Sequence, residues 1–419
     1  MSKNVIDVLE DRGFIDQKTD KHLSEITKNK ISVYVGFDPT ADSLHLGNLV
    51  GIIALYWFKK FGHDVYALVG GATGRIGDPS GRSLERPFLD DEIILNNVKS
   101  IEALLKNILG NDIKVINNND WFKEIYFIDF LRDIGKQFRI SSMLAKESVK
   151  TRMQTDEGMS FTEFSYQILQ AYDFFYLNKH KNISLQMGGS DQWGNITAGI
   201  ELVRKLEKKT VYGCTFPLLT RSDGKKFGKS ESGAIWLTDD KLTPYQFYQY
   251  LFSIPDLDVI RLLKMLTFLD LKDINEIEDQ MKSNNYIPNT AQKILAEEVT
   301  KIVHKEKGLE TALMVTQSAK PGSLAKLDLE SLKAISKDMP NISLDKEEII
   351  GKKYVEVCCI IGLTSSKSEA TRLVQNSGAY LNNEKVVDPQ TVINKEDIIG
   401  DQFLLFGSGK KKKILVKIK

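Results

Sequence analysis

Up to about residue 235 the sequence alternates short apolar runs with longer amphipathic ones, and this alternation leaves few possible architectures. Residues 31–37, 65–69, 113–116, 183–187 and 211–218 read as strands, with helices over 49–61 and 92–108 between them. Strands that alternate with helices pair in parallel and are covered on both faces. From Thr243-Pro244 to about residue 326 the strand pattern stops, and 245–252, 259–269, 291–303 and 310–317 read as helices. Threonine followed by proline is a good helix start, a cap residue before a ring with φ already set. Residues 320–350 are lysine-rich, carry Pro321 and Pro340, and read as a linker. Residues 355–419 read as a helix pair, a turn, two or three strands and a basic end. A chain of 419 residues is long enough for two or three domains.

A net charge of +1 gives no global field for a polyanion, so any RNA contact must use local basic patches, and DNA binding is not expected. Three cysteines, two of them adjacent (Cys358, Cys359), argue against a disulfide framework and for a reducing, cytoplasmic setting. No Cys-x-x-Cys occurs and the histidines are scattered, so no protein-held metal is expected. The first twenty residues mix acids and bases, which fits neither a signal nor a transit peptide, and no window approaches a membrane span.

Two segments carry the chemistry together. The first, Asp38-Pro-Thr-Ala-Asp-Ser-Leu-His45-Leu-Gly47-Asn48, follows an apolar run directly. Asp42 and Ser43 read as caps of a helix beginning near Leu44, whose N–H groups, with Thr40 and His45, would face a phosphate. The second, Lys225-Lys226-Phe-Gly228-Lys229-Ser230, is an ordinary solvated loop when taken alone. Paired with the first, it offers ammonium groups for a departing pyrophosphate.

Three further stretches fit a ligand site at the strand ends. Gly70-Gly-Ala-Thr-Gly74-Arg-Ile-Gly77-Asp78-Pro-Ser-Gly-Arg82, with Arg86 beyond it, lacks the dinucleotide spacing but supplies Asp78 and two arginines. In the helix read over 160–178, Ser160 and Glu163 form a capping box. Phe161, Phe164, Ile168, Ala171, Tyr172 and Phe175 make one apolar face, and Tyr166, Gln170 and Asp173 fall opposite. That second stripe has no lysine, arginine or glutamate, as a pocket wall would and a solvated face would not. Gln186-Met-Gly188-Gly189-Ser190-Asp191-Gln192-Trp193-Gly194-Asn195 links a strand to a helix, where the glycines admit a ribose and Asp191 accepts from its hydroxyls. At the C-terminus, Ser366 and Glu369 make a second capping box. The ten basic and seven acidic residues of 355–419, four of the basic ones at Lys410 to Lys413, fit an RNA-backbone module.

In this order these segments resemble the bacterial-type tyrosyl-tRNA synthetases, class I aminoacyl-tRNA synthetases, over nearly the whole chain. The resemblance implies an α/β fold class. It consists of a doubly wound parallel-sheet (Rossmann-like) catalytic domain over 1–238, an α-helical anticodon-side domain over 239–328, a linker over 329–351 and a small α+β RNA-binding domain over 352–419. It implies that ATP and L-tyrosine form tyrosyl-adenylate and pyrophosphate, and that tyrosine then passes to the 3′ end of tRNA(Tyr). ATP is a substrate, Mg2+ is expected on its phosphates, and no tightly bound cofactor is expected. The implied assembly is a homodimer. Tyr34 and Asp173 would hold the phenolic hydroxyl; Tyr166, Gln170 and Asp78 the α-amino group; Gln192 the carboxylate. Gly36, Asp38, Gly47, Asn48, Gly188, Gly189 and Asp191 would line the ATP site. Thr40 and His45 would meet its outer phosphates, and Arg82, Arg86, Lys226 and Lys229 would clamp pyrophosphate. Lys146, Lys150 and Arg152 would touch tRNA. Asn48 stands where the family commonly has histidine, Arg82 where lysine is frequent, and Phe227-Gly228 where the class motif has Met-Ser. Val35 and Gly51 offer the ribose no side-chain hydrogen bond.

Tryptophanyl-tRNA synthetases share the fold and both phosphate segments, but the Tyr34 and Asp173 pair and the C-terminal module argue against them. A small-molecule nucleotidyltransferase needs neither of the later domains, and a non-catalytic RNA-binding protein needs no intact His45, Gln170 or Asp173.

Overall fold

The computed structural model describes residues 3–81, 88–154, 158–222, 224, 227–230, 233–318, 327, 329, 332–333, 336, 339–409 and 412–419, without the side chains of 148, 229 and 230. Internal contacts divide the chain into two compact units, Met1–Leu242 with Leu251–Val303, and Thr243–Tyr250 with His304–Lys419.

The first unit is built on a six-stranded sheet of β1 (Gln17–Lys18), β2 (Ser32–Phe37), β3 (Asp64–Val69), β4 (Lys114–Asn117), β5 (Leu185–Gly189) and β6 (Tyr212–Phe216), in the order β1-β6-β5-β2-β3-β4. All neighbours run parallel except the short edge strand β1, which the sequence pattern does not reveal because its two residues carry no apolar run. The chain builds outward from β2 through β3 to β4, then crosses back to place β5 on the other side of β2. Beyond the carboxyl ends of β2 and β5 this reversal opens a crevice, the usual ligand position in such sheets. The turns leaving β2, β3, β4 and β5 begin at Asp38, Gly70, Asn118 and Ser190.

The expected helical domain over 239–328 is shared between the units. Helices Asp256–Leu266 and Leu271–Met281 lie in the first. Arg12 ties the former to the N-terminal helix Val5–Asp11 by donating to the carbonyls of Lys264, Thr267 and Leu269 at 2.8, 2.6 and 2.9 Å. Helix Leu271–Met281 is acidic and polar and buries only Ile274, so its periodicity is weak in the sequence. The helical run Thr290–Ser318 is broken at Lys305 (φ 62), next to the division at Val303.

The second unit contains a five-stranded sheet ordered Glu384–Lys385, Ala379–Leu381, Phe403–Ser408, Lys412–Ile418, Asn341–Leu344. The last strand, inside the stretch expected to be linker, pairs parallel with Lys412–Ile418. Its apolar residues Ile342 and Leu344 join the core that Tyr354, Val357, Ala370 and Phe406 form beneath helices Tyr354–Ile360 and Lys367–Gln375, so that stretch is not a free tether. The Tyr354 ring stacks on Phe406 at 5.5 Å. The lysine run is only partly a solvated end: Lys412 donates to the Gly362 and Leu363 carbonyls and Lys413 to Asn383 Oδ1 at 3.0 Å, while 410–411 lie outside the described residues.

Candidate active site

The turn after β2 leads to helix Leu46–Lys60, and His45 itself is the N-cap. His45 Nδ1 accepts from Gly47 N–H at 3.1 Å, and Asn48 Oδ1 accepts from His45 N–H at 3.1 Å. The expected caps do other work: Asp42 pairs with Lys241 at 2.6 Å, and Ser43 hydrogen-bonds the Leu44 carbonyl and Thr238. Imidazole thus fills the position of an oxygen-bearing cap and is fixed at a helix N-terminus, which favours an anion. Asn48 accepts here through its oxygen, which leaves its Nδ2 donors without a partner among the described residues. Thr40 is exposed on the same turn.

The second phosphate segment docks here. Strands Lys229–Ser230 and Gly233–Ala234 pair as a hairpin, Ile235 N–H reaches the Gly228 carbonyl, and Leu46 N–H reaches the Ile235 carbonyl at 2.8 Å. Gly228 has φ +85, and a Cβ on it would stand 3.2 Å from Gly47 N, so glycine suits both the backbone and the gap. Two segments about 180 residues apart in sequence thus meet at one helix end. Of the expected cations, Arg82, Arg86 and Lys226 lie outside the described residues, and Lys229 is described by its backbone alone.

Deeper in the crevice a polar network crosses the pocket. Tyr34, on β2, is 1% exposed, and its hydroxyl has no hydrogen-bond partner among the described residues. Burial and the nearby Asp173 carboxylate hold its phenol well above the usual range. Asp173 is buried too, accepting from Trp121 Nε1 at 2.9 Å and Asn118 Nδ2 at 3.0 Å. Burial pushes its pKa up to about 8 and the Asp38 charge adds to this, against the pull of those two donors. Asn118 Nδ2 also reaches Thr73 Oγ1 at 3.0 Å; Thr73 and Tyr166 then donate to the two oxygens of Asp38, each at 2.8 Å. Asp38, expected at the ATP end, is therefore also hydrogen-bonded to Tyr166, expected to meet the amino acid. Tyr166 is held well above the usual phenol range by burial first, then by the charges of Asp38, Asp78 and Asp173.

A second network links the loop after β3 to the turn after β5. Gln192 Nε2 donates to Asp78 at 2.6 Å, and Asn195 Nδ2 reaches Gln170 Oε1 at 3.0 Å and Gln192 Oε1 at 3.2 Å. The glycine-rich loop closes onto that turn, since a Cβ at Gly81 would stand 3.2 Å from Asp191 Oδ2. Gly188 and Gly189 are buried at the end of β5. Gly36 differs from the rest of β2: it is exposed, and no atom lies within 4 Å of where its Cβ would be. A flat ligand can approach the backbone there. Val35 and the helical Gly51 are buried against each other, which explains why neither carries a polar group.

The stripe is not a solvated face, since Tyr166 and Asp173 are buried and Gln170 half-buried; contrary to the sequence reading it does carry a glutamate, the buried Glu163, while Phe161 on the expected apolar face is 70% exposed. Of the basic groups read as tRNA contacts, only Lys150 is exposed. Lys146 is half-buried on Thr197, and Arg152 is 1% exposed in an ion pair with Glu163. Glu163 spends its carboxylate there, so the capping box with Ser160 is only half formed. Thr73, Asn118, Trp121 and Asn195 escape the sequence reading. Asn118 and Trp121 directly follow β4, as the other site residues follow their strands, and that position was the available signal.

A family model for class I tRNA synthetases (W and Y) matches residues 27–319, and one for the tyrosine–tRNA ligase SYY-like C-terminal domain matches 331–416. The tyrosine–tRNA ligase of Protochlamydia amoebophila is 52% identical over 420 residues, 99% of each chain. The chloroplastic/mitochondrial tyrosine–tRNA ligase of Arabidopsis thaliana is 49% identical over 99% of this chain and 84% of its own. Among solved structures, a C-terminally truncated mitochondrial tyrosyl-tRNA synthetase of Aspergillus nidulans aligns with TM-score 0.66 and 32% identity over 75% of this chain and 93% of its own. A doubly wound sheet, a histidine-capped turn met by the lysine-bearing hairpin, and likeness along the full length make this chain a member of the bacterial-type tyrosyl-tRNA synthetases, the class I enzymes that ligate tyrosine to tRNA at the expense of ATP.

Proposed function

We propose that tyrosine lies in the crevice with its hydroxyl between Tyr34 and Asp173 and its ammonium group among Asp78, Tyr166 and Gln170, with Gln192 near its carboxylate. The observation that carries this reading is the buried Tyr34 hydroxyl, which has no partner among the described residues and stands beside a carboxylate raised to about 8. Asp38 and Asp78, whose charges both act on Tyr166, call for a cation, and an amino acid brings one. ATP lies over Gly36 and along Asp38, Gly188, Gly189 and Asp191, with its outer phosphates at Thr40, His45, Gly47 and Asn48. Mg2+ would enter with ATP, carried on its phosphates as part of that substrate.

The tyrosine carboxylate oxygen attacks the α-phosphorus, and the bond to the bridging oxygen of the β-phosphate breaks. A carboxylate is already ionised at neutral pH, so this step requires no general base. Catalysis is then positioning plus stabilisation of charge that builds on the leaving pyrophosphate, the task of Arg82, Arg86, Lys226 and Lys229. In the second step a hydroxyl of the terminal tRNA ribose attacks the carbonyl carbon and AMP leaves. Lys150 and the C-terminal module over 352–419 contact the tRNA backbone, while 239–328 faces the anticodon side.

The enzyme acts as a homodimer in the cytoplasm. Tyr126, Phe127, Ile128, Ile140 and Phe161 are all exposed and would be covered in such an assembly. Cys214, Cys358 and Cys359 are all free thiols, as a reducing compartment keeps them. Amino-acid-dependent ATP–pyrophosphate exchange tests the pocket. Tyrosine should support exchange while phenylalanine and tryptophan should not; equal exchange with phenylalanine would overturn the assignment of Tyr34 and Asp173.

A further inference from the structure

We propose that Arg152 is a positioning residue for the amino-acid pocket. From helix Glu147–Met153 it reaches Glu163 with two donors, Nη2 to Oε2 at 2.9 Å and Nε to Oε1 at 3.4 Å. Both side chains are almost fully buried, 2% and 3% exposed. Glu163 is the third residue of helix Phe161–Lys181 and stands one turn before Tyr166. Residues 163, 166, 170 and 173 recur at helical spacing on one face. The ion pair therefore sits at one end of the stripe that carries three recognition groups, and this inference rests on the roles proposed for them.

The same segment grips the other wall. Lys146 donates to Thr197 Oγ1 at 2.9 Å on helix Trp193–Glu207, which also carries Asn195, the partner of Gln170. Residues 146–152 thus hold both helices that line the pocket, one through Lys146 and one through Arg152. Stability alone does not call for the ion pair, because apolar residues of similar volume commonly replace a buried pair at no loss. What a bidentate guanidinium adds is a fixed distance and angle between two helices. If that geometry slips, Tyr166, Gln170 and Asp173 move together, while the ATP end keeps the anchors that do not involve that helix, Thr73 on Asp38 and the His45 turn.

The test uses the full chain carrying Arg152→Met with Glu163→Leu. Its melting temperature should match or exceed that of the parent. In tyrosine-dependent ATP–pyrophosphate exchange its KM for tyrosine should rise about tenfold or more and its KM for ATP should stay within about twofold, since misplacement by an ångström costs up to about 10²-fold. Arg152→Lys, which keeps the charge, should recover part of the tyrosine KM. Should the double variant fail to fold, Glu163→Gln keeps the volume and one acceptor and must show the same split between the two KM values. A folded variant with parental tyrosine KM overturns the proposal, as does a rise of both KM values together with a lower melting temperature. Asp173→Ala is run in parallel. If it leaves tyrosine activation intact, the pocket roles themselves are wrong; if it removes activation while the double variant behaves as the parent, only the positioning role is lost.

Discussion

Two buried ionisable groups, one in each compact unit, are driven toward neutrality by the same cause and serve different ends. Burial raises Asp173 to about 8 in the proposed amino-acid pocket and lowers Lys413 to about 8 in the C-terminal sheet. Around Asp173, Asn118 and Trp121 aim donors that favour the charged form, and the Tyr34 hydroxyl beside it lacks a partner among the described residues. Lys413 instead donates to a neutral amide oxygen on Asn383 and stands in a strand laddered on both sides. A carboxylate held by donors next to an unsatisfied hydroxyl is prepared for a ligand. An ammonium that already meets an internal acceptor belongs to the architecture.

The sharpest way to break this contrast is to remove Asp173. Asp173→Ala should lower kcat/KM for tyrosine in pyrophosphate exchange by about 10²-fold or more, because the ligand hydroxyl loses a charged acceptor worth about 1.5–3 kcal/mol. Its thermal stability should hardly fall, since the burial penalty of the carboxylate goes with it. An unchanged kcat/KM would make Asp173 architectural, like Lys413. Next come its donors. Trp121→Phe keeps the ring stacked on Tyr176 at 4.5 Å but loses the N–H, so it should weaken tyrosine activation by about tenfold, the worth of one hydrogen bond to a charged group. Equal loss of ATP affinity would show that the effect is not local to the pocket.

How far the sequence reveals this arrangement follows from distance along the chain. Strand ends and the polar stripe of Tyr166, Gln170 and Asp173 are legible because periodicity and residue order encode them locally; the pairing of the His45 turn with the lysine segment is legible only through the order of the two segments and the family resemblance. Asn118, Trp121, Thr73 and Asn195 are not, since each matters only through a partner brought near by the fold, as Asn118 is to Asp173 across 55 residues. Arg152 misleads for the same reason: arginine in a polar stretch reads as surface until Glu163 is seen to bury it. The strand Asn341–Leu344 hides among lysines and prolines because its partner lies about 75 residues further on.

The carboxylate also predicts a pH effect. Its folded pKa is raised above the ordinary 3.8, so at neutral pH much of the free enzyme holds Asp173 protonated. A tyrosine hydroxyl donates to the ionised form, so kcat/KM for tyrosine should rise with pH through about 8 and level off above it, several-fold between about pH 7 and 9. Tyrosine binding near neutrality should release a proton, which calorimetry in buffers of different ionisation heat would detect. A flat profile over that interval would mean that the donors of Asn118 and Trp121 outweigh burial.

The smallest effect is expected at Lys413, and its sign is opposite to that of a paired cation. Its folded pKa, about 8, lies below the ordinary 10.5, so over that interval the unfolded chain binds more protons than the folded one. The cost of burying the charge is therefore full below pH 8 and fades as pH climbs toward 10.5. Lys413→Met removes that cost but leaves Asn383 Oδ1 short of a donor, so the net gain at neutral pH should be about 1 kcal/mol, seen as a higher melting temperature. The gain should shrink in alkaline buffer, where the parent lysine is already neutral. Tyrosine activation should be untouched at every pH, because this group lies in the sheet of the second unit and the pocket in the first. A variant that lost stability instead, equally at pH 7 and in alkali, would show that Lys413 serves through its hydrogen bond, with burial of its charge a minor cost.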